Sequence, residues 1–241
     1  MTKIIGHRGA AGLALENTRA AMLAALDWGV DVIEFDVRRT ADDHLVVMHD
    51  PVTDRVSDEQ VTIYAKTLAE LQTIKLHNGE TIASLDEILD LIDDRVPVII
   101  ELKDAGSLDE LLLVLARHPA LDASIASFNH EELWRVRQAL PDIPIFALEH
   151  LSSLEIINTA RSLQATGIGL NKWIVNPLTY LLARRYGMEL YLYKVNTALI
   201  GRFLRTLYPR IDFCTNRPDR FLRKRRRASR RWAKRHAASR R

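Results

Sequence analysis

Short apolar runs rich in β-branched residues alternate along the chain with segments that carry apolar residues at helical spacing. Such repeated strand and helix units are typical of an α/β protein with a parallel sheet. Periodicity alone does not separate a barrel from an open, doubly wound sheet, because both bury parallel strands under helices. The predicted strands are 3–6, 32–37, 45–49, 98–102, 124–127, 145–148, 167–170, 189–195 and 211–215, and the predicted helices include 16–28, 85–92, 108–115 and 131–140.

Nine strands are one more than an eight-stranded barrel needs. We expect 32–37 and 45–49 to be the second and third strands of the sheet, joined by the polar turn at 40–43, and one later segment to be irregular or to close the sheet. A chain of 241 residues with 47% hydrophobic residues can bury one sizeable core. The sequence therefore predicts a single domain at 1–222, followed by a basic segment at 223–241.

Charge is divided unevenly between the body of the chain and its C-terminal segment. Residues 217–241 hold 13 of the 34 basic residues and one of the 31 acidic residues, so residues 1–216 have nine more acidic than basic residues. Repulsion should keep 223–241 extended or weakly helical. Phe221, Leu222 and Trp232 lie among the charges, a pattern that fits anionic phospholipid. Nucleic acid is the less favoured partner, and a merely solubilising segment is a third interpretation.

The sequence predicts neither a membrane span nor secretion. No window offers roughly 18 uninterrupted apolar residues, and the first residues lack the apolar run and cleavage site of a signal peptide. Cys214 is the single cysteine, so the fold cannot depend on an internal disulfide, and its apolar strand predicts a core position. We expect a cytoplasmic protein that the basic segment could bring to the inner face of the membrane.

Ionisable side chains stand where predicted strands end. His7 and Arg8 follow the first strand, and His49 ends the third. Histidine can move a proton near neutral pH, and arginine presents a planar fork to phosphate. In a parallel barrel all strand C-termini meet at one rim, so these side chains are expected to converge there. The alternative is a set of turns with incidental polar residues.

Three carboxylates occur within two of the predicted strands. Glu34 and Asp36 are two residues apart and so point to the same face, and Glu101 is followed two residues later by Lys103. Close buried carboxylates are costly unless a cation or protons neutralise them. Three carboxylates suit Mg²⁺ or Ca²⁺ better than zinc. The alternatives are a solvated edge strand for the first pair and a structural ion pair for Glu101 and Lys103.

The order and spacing of these and other short motifs resemble those of the glycerophosphodiester phosphodiesterases. The motifs are Gly6-His7-Arg8-Gly9, Glu16-Asn17-Thr18, Glu34-Phe35-Asp36-Val37, His49-Asp50, Glu101-Leu102-Lys103, Val195-Asn196 and Thr215-Asn216-Arg217-Pro218. No single motif is decisive, but together they span residues 3 to about 222. The resemblance implies a (β/α)8 TIM barrel of the phospholipase C-like phosphodiesterase type, and the choice of a barrel comes from the family.

The resemblance also implies an activity and residue roles. The expected reaction is the metal-dependent hydrolysis of glycerophosphodiesters to sn-glycerol 3-phosphate and an alcohol, a step of lipid and glycerol metabolism. Which histidine is the acid, and whether water or a glycerol hydroxyl attacks, stays open. The implied roles are Mg²⁺ or Ca²⁺ binding by Glu34, Asp36 and Glu101, acid–base catalysis by His7 and His49, substrate binding by Arg8, Lys103, Tyr193 and Asn196, metal binding or support beside the site by Glu16, and support by Asn17.

The chain departs from the family pattern at several positions. Leu15 stands where proline is usual, Lys194 where threonine is usual and Asn216 where aspartate is usual, and the last two could alter substrate preference. The short segment 50–84 shows no obvious inserted subdomain, which would leave the pocket open. Two other functions are considered, a lysophospholipase D acting at a membrane surface and a noncatalytic anion-binding barrel. The intact set of acids and histidines argues against the second.

Overall fold

Eight parallel strands form a closed barrel in the computed structural model, which describes residues 2–223. The barrel closes because β1 pairs with both β2 and β9, and helices lie between successive strands. This confirms the predicted TIM barrel. In chain order the strands are β1 (Ile4–Gly6), β2 (Val32–Arg39), β3 (Leu45–Val47), β4 (Val98–Leu102), β5 (Ala123–Ser127), β6 (Ile145–Glu149), β7 (Gly167–Asn171), β8 (Glu189–Tyr193) and β9 (Asp212–Thr215).

β3 is the strand that does not belong to the barrel. It runs antiparallel to the end of β2, so the prediction of a third parallel strand at 45–49 is wrong. The turn at 40–43 is too short for a parallel crossover, which needs a dozen or more residues, and it makes a hairpin instead. The hairpin folds back over the rim, where the N–H of Met48 donates to the carbonyl of Asp36 at 3.0 Å. It thereby still delivers His49 to the C-terminal end of the barrel.

The helices begin at well-formed caps. Thr18 caps α1 by accepting a hydrogen bond from the N–H of Ala21, and Ser84 and Glu87 form a capping box at the start of α3. α1 begins later than predicted because Asn17 has a left-handed φ of 56°. The described helices are α1 (Arg19–Trp28), α2 (Leu68–Leu71), α3 (Leu85–Ile92), α4 (Leu108–Arg117), α5 (His130–Ala139), α6 (Glu155–Ser162), α7 (Pro177–Arg185) and α8 (Ala198–Leu207), with short 3₁₀ helices at Ile63–Ala65 and Pro218–Arg220.

Alternation along the strands separates two apolar layers. On β2, Phe35 is buried in the large cluster between strands and helices, whereas Val32 belongs to a smaller cluster with Ile99, Phe146 and Tyr191. That smaller cluster also contains Cys214, as its predicted core position requires. Residues of the same parity as Val32 face the barrel axis, because side chains alternate along a strand. The polar residues farther along β2 therefore end up above an apolar floor.

The segment between β3 and α3 forms a small lobe at the side of the rim, defined here as residues 50–84. It contains α2 and has its own buried apolar cluster, which includes Val56, Ile63 and Leu71. Although the lobe is short in sequence, it places a side chain, that of Arg55, against the rim of the barrel.

The basic segment and the absence of a membrane span are the two remaining predictions, and only the second concerns described residues. Apart from Arg223, the predicted basic segment 223–241 lies outside the described residues, so its boundary and its ligand stay predictions. Among the helices that the structure does describe, none has both the length and the apolar character needed to cross a bilayer.

Candidate active site

The turn after β1 places His7 and Arg8 at the C-terminal rim of the barrel. Arg8 has a left-handed φ of 51°, which is unfavourable for a residue with a side chain. Its N–H donates to Oε2 of Glu34 at 2.8 Å, which helps to hold that conformation. Gly9 follows with a φ of 79°, and a Cβ there would lie 2.6 Å from the backbone of Ala21. The tight turn thus requires glycine and fixes the direction of both functional side chains.

Glu34, Asp36 and Glu101 come together inside the rim. One oxygen atom of each lies within 4.8 Å of the others, and all three residues are buried. Asp36 and Glu101 are register partners on β2 and β4. Burial raises the pKa of Glu34 well above its usual value, and the neighbouring Asp36 and Glu101 raise it further. Three bare negative charges are therefore unfavourable here without a proton or a cation.

This donor set fits a divalent metal ion. Oε1 of Glu34 is buried without a hydrogen-bond partner among the described residues. A buried oxygen of this kind is costly unless something binds it. Three carboxylate oxygens are hard ligands of the type that Mg²⁺ and Ca²⁺ take. The cluster could hold a divalent cation through Glu34, Asp36 and Glu101.

Two cationic side chains border the carboxylates. Nζ of Lys103 lies 2.9 Å from Oδ1 of Asp36 and also contacts Glu101, and Nε of Arg8 lies 3.1 Å from Oδ2 of Asp36. Although burial raises the pKa of Asp36, Lys103 and Arg8 bring it below its usual range. Burial and Asp36 raise the pKa of Glu101 to about 7, against the effect of Lys103. The site therefore has positive charge beside its acidic cluster.

His7 is held by an amide. Its Nδ1 lies 2.6 Å from Oδ1 of Asn216, and because an amide oxygen only accepts, that contact leaves Nε2 as the free acceptor. Burial, together with the charges of Arg8 and Lys194, lowers the pKa of His7 to about 3, although Asp36 opposes the shift. Asn196 supports the arrangement, since its Oδ1 accepts from the N–H of Asn216 at 2.9 Å. Asn196 does not line the pocket, so its substrate contact stays a prediction.

His49 is held by a chain of ion pairs that reaches across the rim. Its Nδ1 lies 2.6 Å from Oδ1 of Asp50, whose Oδ2 accepts from Nε of Arg55 at 2.5 Å. Arg55 also donates to both oxygens of Glu16, at 2.6 and 2.7 Å, and Glu16 accepts from Arg8 at 2.6 Å. Neither Asp50 nor Arg55 has a role that the sequence alone predicts. Asp50 belongs to the His49-Asp50 motif, which could have indicated its role. Arg55 belongs to no motif, and its position depends on how the lobe packs against the rim.

Asn17 holds the acidic cluster in place through hydrogen bonds to Asp36. Its Nδ2 donates to Oδ2 of Asp36 at 2.8 Å, and its Oδ1 accepts from the N–H of Asp36 at 3.3 Å. Both of its polar atoms are therefore used on one residue. This contact places Asn17 beside the acidic cluster, and the supporting role that the family resemblance implies for it stays a prediction.

A cavity of about 320 Å³ opens over these groups. Tyr193 forms one wall, where its hydroxyl donates to the carbonyl of Glu149 at 2.6 Å and its ring meets Phe128 edge-on. Phe128 and Lys172 were not singled out from the sequence, although both follow strands as the predicted residues do. The predicted site residues that line the cavity are His7, Arg8, Glu34, His49, Glu101, Lys103 and Tyr193.

A TIM barrel that presents acids, histidines and cations together at its C-terminal rim has the composition of a phosphoric ester hydrolase. The chain belongs to the glycerophosphoryl diester phosphodiesterase family, whose model matches residues 7–220. It is 29% identical over 241 residues to "Probable glycerophosphodiester phosphodiesterase 1" of Mycobacterium tuberculosis, an alignment that covers 88% of this chain and 84% of the relative.

Two further comparisons agree. The glycerophosphodiester phosphodiesterase of Caldanaerobacter subterraneus is 32% identical over 178 residues, which cover 68% of this chain and 73% of that one. An Oleispira antarctica phosphodiesterase, solved in complex with the product sn-glycerol-3-phosphate, superposes with a TM-score of 0.83 at 24% identity and covers 90% of this chain and 94% of its own. At that identity the superposition supports the fold.

Proposed function

We propose that the chain hydrolyses glycerophosphodiesters to sn-glycerol 3-phosphate and an alcohol, with a divalent cation held by Glu34, Asp36 and Glu101. The observation that carries the proposal is the convergence of these three carboxylates to within 4.8 Å beside two histidines. The substrate class rests on the family and on the names and bound product of the relatives.

The cationic side chains answer the first difficulty of the reaction, which is the negative charge of the phosphodiester. Arg8 and Lys103 both line the cavity, and arginine can bind two phosphate oxygens at once while lysine acts as a point charge. The bound cation supplies further neutralisation of the charge that builds up on the phosphoryl oxygens. Together these groups lower the cost of bringing a nucleophile to the phosphorus.

The two histidines differ in a way that suits proton transfer in opposite directions. His7 is neutral near pH 7 because of its low pKa, so its Nε2 can accept the proton of the attacking hydroxyl or water. Burial, Lys103 and Arg8 lower the pKa of His49, but Asp36 and the hydrogen bond to Asp50 oppose that shift, whereas the amide that contacts His7 carries no charge. We therefore assign the base to His7 and the acid that protonates the departing alcohol to His49.

Lysophospholipids are a second candidate substrate class. Lys172 lines both the active-site cavity and an exposed apolar groove, so a substrate with an acyl chain could reach the carboxylates from that side. The glycerophosphate portion would bind as before. The choice between the classes is a matter of which alcohol or acyl group the outer part of the cavity accepts.

The decisive experiment is an assay of the full-length protein on glycerophosphocholine, glycerophosphoethanolamine and a lysophospholipid. We expect release of sn-glycerol 3-phosphate from the first two, loss of activity with a chelator and recovery with Mg²⁺ or Ca²⁺. Glu34→Gln, which keeps the shape and removes the charge, should abolish recovery, whereas Glu110→Gln on α4 should not. Full turnover in the presence of chelator would refute the metal site, and absence of product from every substrate would refute the activity.

A further inference from the structure

One face of the folded domain is basic although the domain as a whole is acidic. Residues 163–211, which lie between α6 and β9 and include α7 and α8, contain seven Lys and Arg residues and one acid, Glu189. Glu189 is paired with Lys3 at 3.1 Å, at the opposite, N-terminal end of the barrel. The C-terminal side of this face therefore lacks negative charge among the residues of that range. The excess of positive charge attracts an anionic partner.

The outer face of α8 is apolar where the outer helices of a barrel are normally polar. Leu199, Phe203 and Leu207 are 72%, 62% and 49% exposed, and their spacing of four residues puts them on one side of the helix. Trp173, in the loop after β7, is 75% exposed and borders the same groove of about 230 Å³ as Phe203 and Leu207. A contiguous exposed apolar patch of this kind marks an interaction surface.

The patch lies at the edge of the active site. Lys172 lines both the active-site cavity and the groove, and its Nζ lies 4.7 Å from the centre of the Trp173 ring. Arg202 and Arg205 are exposed on α8 on either side of Phe203 in sequence. Aromatic and aliphatic side chains are thus mixed with cations beside the mouth of the cavity.

We infer that this face, formed by Trp173, Leu199, Phe203 and Leu207 with Arg202 and Arg205, docks on an anionic phospholipid bilayer. An interfacial helix has this composition, with apolar side chains that enter the headgroup boundary and basic ones that meet lipid phosphates. The positive charge of this face disfavours two other partners, the C-terminal segment of the chain and a second copy of the protein. Residues 224–241 are strongly basic and would be repelled, and a second copy in a symmetric pair would oppose like charges.

The docking surface does not depend on the proposed hydrolysis, because none of its residues touches the acids or histidines of the site. Docking on this surface would, however, fix the position of the active site relative to the bilayer. A barrel lying on this face would hold the cavity mouth close to the lipid headgroups, where lysophospholipids and glycerophosphodiester products of lipid breakdown are released.

Vesicle co-sedimentation of the full-length protein tests the inference. All proteins carry Arg225→Gln, Arg226→Gln and Arg227→Gln, so that the C-terminal segment contributes less. The test variant adds Trp173→Gln and Phe203→Gln, and the matched control adds Trp134→Gln and Leu113→Gln, which remove exposed apolar side chains from α5 and α4. Vesicles contain phosphatidylcholine alone or mixed equally with phosphatidylglycerol, in buffer of about 0.15 M salt.

We expect the test variant to bind the mixed vesicles about tenfold more weakly than the control, and the control to bind neutral vesicles poorly. Hydrolysis of soluble glycerophosphocholine should be equal in both, which separates this result from the proposed activity. Equal vesicle binding by the two proteins would overturn the inference. So would sedimentation equilibrium in which only the control forms a dimer, because the patch would then be a subunit interface.

Discussion

Nδ1 of His7 lies 2.6 Å from Oδ1 of Asn216, so an uncharged amide orients this histidine. His49 makes a contact of the same length with the carboxylate of Asp50. The difference separates the two imidazoles electrostatically, because a carboxylate favours the protonated form and an amide does not. The residue that departs from the family pattern at 216 therefore has a direct effect on the proposed base.

Asn216→Asp should raise the pKa of His7 by placing a negative charge at Nδ1, although Arg8 and Lys194 still lower it. As the pH falls, a base with a higher pKa becomes protonated, and so stops accepting a proton, at a higher pH. We expect the acidic limb of the kcat/KM profile, which the pKa of His7 places at about pH 3, to move up by about one pH unit, measured on glycerophosphocholine from about pH 2.5 to about pH 9. An unmoved acidic limb, with the basic limb displaced instead, would reverse the assignment of base and acid.

Replacing either histidine should remove most of the activity without unfolding the protein. We expect His7→Ala and His49→Ala each to lower kcat by at least about 100-fold, because acid–base catalysis contributes that much or more. His77→Ala, which removes an exposed histidine of the lobe that pairs with Asp58 at 3.3 Å, is the matched control and should retain full activity. Circular dichroism checks the fold of each variant. Normal turnover by His7→Ala or His49→Ala would exclude the proposed mechanism.

Arg55 is expected to act as a positioning residue. Arg55→Gln should free the Asp50 carboxylate and let His49 turn, with a loss of about tenfold in kcat and little change in KM. Arg39→Gln, which breaks a similarly exposed pair with Asp43, serves as the control and should be neutral. If Arg55→Gln instead raises KM alone, Arg55 contacts the substrate and does not position the histidine.

Asp212 should make stability depend on pH. Burial raises its pKa to about 6, against the hydrogen bond from Lys3. An acid with a raised pKa in the folded state contributes stability below its unfolded pKa, and that contribution is lost as the pH rises through the folded pKa. The contribution of Asp212 to the free energy of unfolding should fall by about 1–2 kcal/mol between pH 4 and 6, which is measured as the difference between the wild type and Asp212→Asn over that range. Denaturant titrations of Asp212→Asn should lack this fall, and Asp43→Asn, at an exposed carboxylate, should keep it.

Sequence patterns predicted most of the strands and the position of the acidic groups, whereas the choice of a barrel over an open sheet came from the family resemblance. Alternation within 32–37 placed Glu34 and Asp36 on one face, and the structure brings both beside Glu101 on the next strand of the sheet. The reason is local, because a strand fixes the direction of every second side chain. The metal-binding role of these residues stays a prediction.

The errors and omissions lie where the outcome depends on packing between distant segments. Segment 45–49 has the composition of a strand, and only the length of the preceding turn argues that it pairs antiparallel. The contact between Arg55 and Glu16 joins residues 39 positions apart. It depends on how the lobe sits against the rim, which no periodicity encodes. The apolar outer face of α8 is also ambiguous in sequence, because the helix carries apolar residues on both sides.

Because β2 and β3 form a hairpin, the two histidines of the proposed acid–base pair differ in how firmly the fold holds them. His7 follows β1, a strand of the closed barrel. His49 follows β3, which lies outside the barrel and is held to it by the pairing with β2, by the hydrogen bond from Met48 to Asp36 and by the ion pairs of Arg55. On heating, β3 and the lobe should detach from the barrel before the barrel itself unfolds. Catalysis in this protein would then fail at a lower temperature than the fold.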